Sequence, residues 1–93
     1  MAWNLRFHPG VKKDLRRISP EARDSLLERI LPLLEENPYQ GEPLHGPLRR
    51  FWKYRTGNYR ITYSINKERQ EIIVIEIGPR GGFYERLKHR LRF

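Results

Sequence analysis

The chain contains no cysteine, which excludes disulfides, thiolate metal sites and a cysteine nucleophile. Acidic residues are scarce as well, 11 against 19 lysines and arginines, for a formal charge of +8. That excess points to an anionic partner, nucleic acid ahead of membrane lipid and with acidic protein close behind. A basic surface that serves only solubility is the alternative. Long apolar runs are also missing. No segment approaches a membrane span, and the opening MAWNLRFHPG lacks the apolar core of a signal peptide, so a cytoplasmic protein without membrane contact is expected. His8, His45 and His89 are scattered and show no metal-ligand or paired acid–base spacing, so each reads as a surface or loop residue and no metal or other cofactor is expected. No repeat or linker divides the chain, which reads as one domain over residues 1–93.

What is present is periodic. AWNLRFH alternates, with Trp3, Leu5 and Phe7 on one face, as in a half-buried strand. Val11, Leu15 and Ile18 then form the stripe of a short helix. Ser19-Pro20 restarts the chain as an N-cap and first-turn proline, and Ala22, Leu26, Ile30, Leu33 and Leu34 follow at helical spacing, completing a helical hairpin. Pro32 lies inside that pattern and predicts a kink or an early end, because its ring crowds the carbonyl of Glu28. NPYQGEPLHGP holds three prolines and two glycines and reads as loop. LRRFWKYR, YRITYSI and EIIVIEI read as three strands, and Leu87 and Leu91 mark a short C-terminal helix with Arg86, Lys88, Arg90 and Arg92 around them.

Burial also predicts a register. Trp52 and Tyr54 must share a face with Ile61, Tyr63 and Ile65, which in an antiparallel pair sets Arg55 opposite Arg60. Phe51, Lys53, Arg55, Arg60, Thr62 and Ser64 then share the other face. Like charges directly opposed cost from a few tenths to about 1 kcal/mol, so stability alone would not select three cations there. Two readings follow: a solvated outer face with partners such as Glu76, or a preorganised cradle in which arginine forks meet a phosphate.

EPLHGPLRRFWKYRTGNYRITYSI followed by EIIVIEIGPRGGFYERL, in this order of elements, resembles the RelE/ParE superfamily of type II toxins over essentially the whole chain. The resemblance implies an α+β fold, β-α-α-β-β-β-α: a small, mainly antiparallel sheet packed against the N-terminal helical hairpin, with a short C-terminal helix. RelE-type members are ribosome-dependent endoribonucleases that cut mRNA, whereas ParE-type members share the fold and poison DNA gyrase. Carried over by position, the RelE-type catalytic set falls on Lys53, Arg60, Arg80 in GPRGG and Tyr84 in FYER, with Phe51 where a second hairpin lysine would stand. Arg55, Arg86 and Lys88 are the expected RNA-binding helpers. The YoeB-like branch places a glutamate in a PEPL loop, which makes Glu42 in GEPL a further candidate, although the C-terminal histidine of that branch has no counterpart here.

Cleavage of RNA by its own 2′-hydroxyl needs a base, cations around the phosphorane-like transition state and an acid for the leaving 5′-oxygen, and no metal. Lys53 is the candidate base, Arg60 and Arg80 the phosphate ligands. Tyr84 would stack on a base or orient the nucleophile, or else pack in the core. The expected partners are mRNA, the ribosome and a cognate acidic antitoxin, partly disordered when free, that forms a hetero-oligomer with the toxin. A non-enzymatic RNA-binding protein is the third reading of the same basic surface.

Overall fold

The computed structural model describes residues 2–92; Met1 and Phe93 of the expected 1–93 domain lie outside the described residues. Strands β1 (Asn4–Phe7), β2 (Glu42–Pro43), β3 (Phe51–Thr56), β4 (Tyr59–Asn66) and β5 (Glu71–Pro79) form one sheet in the order β1-β5-β4-β3-β2. β1 runs parallel to β5, and the remaining pairs are antiparallel. Helices α1 (Val11–Arg16), α2 (Pro20–Ser25) and α3 (Leu31–Glu36) cover one face, and α4 (Phe83–Arg90) packs on the other. No helix among the described residues is long and apolar enough to cross a membrane.

The helical region starts as expected, with the Ser19 side chain accepting from Ala22 N at 3.2 Å. Pro32 does not end it. A π-helical turn, Leu26–Ile30, joins α2 to α3, and the Leu31 N–H donates to Leu26 O, five residues back. This wider turn just before Pro32 is how the helix passes the residue without its missing donor. The Pro/Gly segment is also more ordered than a loop. It carries 3₁₀ turns at Pro38–Gln40 and Gly46–Leu48 and the short strand β2 between them, paired to β3. Phe7 keeps its expected face, opposite Val74 on the α1–α3 side, but is 48% exposed there.

The register of β3 and β4 is the one burial dictates: Trp52 opposes Tyr63 and Arg55 opposes Arg60. Beneath α1–α3, Ile61, Tyr63, Ile72, Val74 and Ile77 pack against Val11, Leu26 and Leu34. The Tyr63 hydroxyl donates to Pro38 O at 2.6 Å, and burial pushes it up to about 12. A smaller cluster of Leu44, Phe51, Ile75, Phe83 and Leu87 fills the α4 face. Phe51 is 4% exposed there, so the residue that replaces a lysine in the resemblance is needed for packing.

A β-bulge sets what faces α4. Tyr63 pairs with Val74 but Thr62 with Glu76, leaving Ile75 as the extra residue. Strict alternation would send Glu76 into the apolar core with Val74. The bulge sends it instead to the α4 face, where it is 1% exposed and meets Arg86. β1 stops opposite Val74, so the Ile77 N–H further along has no β1 partner, and the buried Asp14 of α1 accepts from it at 3.0 Å. Asp14 also accepts from Arg90 at 2.5 and 3.0 Å, which ties α1 to α4 at this edge.

Candidate active site

Because directly opposed residues share a face, the registers lay out two polar rows under and beside α4. One row runs Glu42, Lys53, Thr62, Glu76 from β2 to β5; the next runs Arg55, Arg60, Gly78. Arg55 is exposed, Lys53 and Arg60 are partly buried, and Glu42 lies open at the edge directly opposite Lys53.

Arg60 occupies the centre. Its guanidinium lies 4.1 Å from the centroid of Phe83, a cation–π contact that fixes the fork under the start of α4. Burial, and then the nearby charges of Arg55 and Arg80, push its pKa down from the ordinary arginine value, while Tyr84 and Glu76 oppose this. The group stays a cation at any physiological pH, so three guanidinium charges are held within reach of one another. A phosphate is the ligand that such crowding suits.

The turn from β5 to α4 carries Arg80 and Tyr84 to this patch. Arg80 N donates to Asn58 O in the β3–β4 turn at 3.0 Å, so the two loops are fixed edge to edge. Gly82 has φ 72°, a left-handed conformation that lets the chain enter α4 directly. At the head of that helix Phe83 points inward and Tyr84 outward, with ring centroids 4.3 Å apart and Tyr84 45% exposed. Tyr84 is therefore not buried in the core: its ring leans on Phe83 and leaves nearly half of the residue exposed to a ligand.

The structure thus brings Lys53, Arg55, Arg60, Arg80 and Tyr84 to one side of the molecule, with Glu42 in the Lys53 row. Lys88 is exposed on α4. Arg86 departs from the expected RNA-facing role: its three guanidinium nitrogens donate inward, to Glu76 Oε2 at 2.6 Å, to Gly81 O at 2.7 Å and to Pro79 O. Sequence reasoning missed Phe83 and the contact of Arg80 with Asn58, and took Glu76 only as a possible surface partner. The aromatic Phe83 next to Tyr84 was a visible signal; the bulge that turns Glu76 was not.

An apolar groove of about 360 Å³ beside Phe7, Val11, Leu15 and Leu27 contains none of these residues. The site is an open face rather than a cavity, as a strand of nucleic acid would require. Among the described residues no group of His, Cys, Asp and Glu side chains is placed to hold a metal ion.

Residues 5–82 match the family model described as the ParE toxin of type II toxin–antitoxin systems, parDE. The mRNA interferase toxin RelE of Escherichia coli is 28% identical over 81 residues, which are 86% of this chain and 85% of that protein. Among solved structures, a chain of the toxin–antitoxin complex RelBE2 from Mycobacterium tuberculosis superimposes with a TM-score of 0.79 at 25% identity, covering 86% of this chain and 100% of the other. A chain of the archaeal RelE–RelB complex from Pyrococcus horikoshii gives 0.71 at 26% identity, covering 88% and 99%.

Proposed function

The chain belongs to the ParE toxin family of type II toxin–antitoxin systems, and from that premise we propose that it is an endoribonuclease that cuts mRNA on the translating ribosome. The observation that carries this reading is the convergence of Arg60, Arg80, Lys53 and the exposed Tyr84 on one open face. In this reading Arg60 and Arg80 bind the scissile phosphate and neutralise the charge that develops when the 2′-oxygen attacks phosphorus. Tyr84 stacks on an unpaired base and holds the strand for in-line attack. Lys53 can take the 2′-hydroxyl proton only as its neutral amine, and Glu42, opposite it in register, is the other group placed to do so. The bond from phosphorus to the 5′-oxygen breaks, that oxygen takes a proton from water at the open face, and a 2′,3′-cyclic phosphate remains on the upstream fragment. The site holds no paired histidines, so orientation of the 2′-hydroxyl falls to the ribosome, and naked RNA should be cut poorly. Arg55 and Lys88 extend the cationic track for the flanking backbone.

In the cell the toxin needs an inhibitor, and the +8 charge suits an acidic antitoxin that folds over the cationic face in a hetero-oligomer. The family model itself favours a second reading, inhibition of DNA gyrase by protein binding. The two separate cleanly in vitro. Purified protein should shorten mRNA in a translation reaction, leave a cyclic phosphate at the new 3′ ends and not alter supercoiling by gyrase. Inhibited supercoiling with intact mRNA would establish the second reading instead.

A further inference from the structure

The β5–α4 turn puts Arg80 on the site, yet an exposed turn containing Gly81 and Gly82 has little intrinsic rigidity. Besides the bond from Arg80 N to Asn58 O, a side chain that does not face the site also holds it. The Arg86 fork reaches back from α4 to the carbonyls of Pro79 and Gly81, the two residues flanking Arg80. The third nitrogen, Nε, is bound by the buried Glu76 carboxylate at 2.6 Å. A lysine could not make this set of contacts, because it presents a point charge rather than a fork.

The space for the brace is also built in. A Cβ added at Gly78 would stand 2.7 Å from Glu76 Oε2 and 2.9 Å from an Arg86 nitrogen. Gly78 is the residue opposite Arg60, so the carboxylate and fork lie directly beside the phosphate-binding row. The bulge at Ile75 completes the arrangement, since without it Glu76 would point away from α4.

We propose that Arg86, seated on Glu76 in the space left by Gly78, is a positioning residue that fixes the Arg80 turn for catalysis and makes no contact with RNA. The cleavage part of this inference rests on the endoribonuclease reading above; the ordering of the turn does not.

The test uses the full chain and three variants, Arg86→Lys, Glu76→Gln and Gly78→Ala, followed by ribosome-dependent cleavage kinetics and by backbone ¹⁵N order parameters in the free protein. Arg86→Lys keeps the charge, so an RNA-contacting residue would retain much of its affinity and rate. A brace would not: the maximal rate should fall on the order of 10- to 100-fold, as misplacement of a catalytic group does, while the ribosome concentration at half-maximal rate stays within about twofold. Glu76→Gln and Gly78→Ala should lower the maximal rate in the same sense, although neither position can reach RNA. In all three variants the amides of residues 80–82 should move from order parameters near 0.85 toward values below about 0.6, with the core amides unchanged. A variant set that raises the half-saturating concentration at constant rate would overturn the proposal, as would unchanged order in the turn. If the wild-type protein cuts no mRNA, the functional reading fails, and the order parameters alone decide the brace.

Discussion

Beneath α1–α3 the buried cluster is apolar apart from one hydroxyl, that of Tyr63, which is hydrogen-bonded to Pro38 O. Beneath α4 the packing is thinner and polar atoms intrude: Arg60 Nε, Thr62 Oγ1 and Glu76 Oε1 are all buried with no hydrogen-bond partner among the described residues. An unsatisfied buried polar group costs about 1–3 kcal/mol, and the opposed Arg55–Arg60 pair adds repulsion. The sheet therefore concentrates its stabilising contacts on one face and spends part of that stability on the other. Strain of this kind gathers at functional sites, which favours the α4 face over the apolar groove by Phe7 as the working surface.

The largest effects on activity are expected at the arginines. Arg60→Ala and Arg80→Ala should each lower the cleavage rate by about 10²–10³-fold, the usual effect of deleting one preorganised charge stabiliser. The urea midpoint of Arg80→Ala should move by no more than about 0.5 kcal/mol equivalent, because the side chain is exposed. On the opposite face the outcome reverses. Leu34 is fully buried, and Leu34→Ala should cost about 2–5 kcal/mol in denaturant unfolding while the surviving folded fraction keeps its specific activity.

A pH titration sharpens the contrast further. Burial raises the Glu76 carboxyl above its ordinary 4.5, against the hydrogen bond and charge of Arg86. Between 4.5 and the raised value the folded chain holds a proton that the unfolded chain has released. Its contribution to stability is therefore full below 4.5 and lost as pH rises through the folded value. Thermal unfolding of the wild type and Glu76→Gln across that window should show a decline with pH in the first that is missing from the second. The smallest effect belongs to Arg55→Gln, which removes a directly opposed like charge. It should stabilise the fold by a few tenths to about 1 kcal/mol while weakening RNA binding, measurable by chemical denaturation and by the half-saturating ribosome concentration.

Much of this was legible from residue order alone. The odd-sum register that pairs Arg55 with Arg60 follows from requiring Trp52, Tyr54, Ile61 and Tyr63 to share a buried face, and the structure has that register. The Ser19 cap and the helical stripe were equally local signals. What escaped depends on contacts between distant segments. The parallel pairing of β1 with β5 has no local signature, and β2 is too short to show alternation. Asp14 reads as one polar residue on a short helix until β1 is seen to stop opposite Val74. The bulge at Ile75 inverts the period-2 rule for the one residue, Glu76, on which the α4 face turns. Arg86 looked like one more cation on a basic helix because sequence shows charge and not where the fork points.

Whether this arginine-lined face cuts mRNA on the ribosome is decided by primer extension on mRNA in programmed ribosomes, with the wild-type protein and Arg80→Ala side by side. New 5′ ends within the codon in the ribosome's decoding site are expected for the wild type, with few ends on the same mRNA without ribosomes and loss of the signal by at least about 100-fold in the variant. Intact mRNA with the wild-type protein, or cleavage undiminished by Arg80→Ala, would contradict this function.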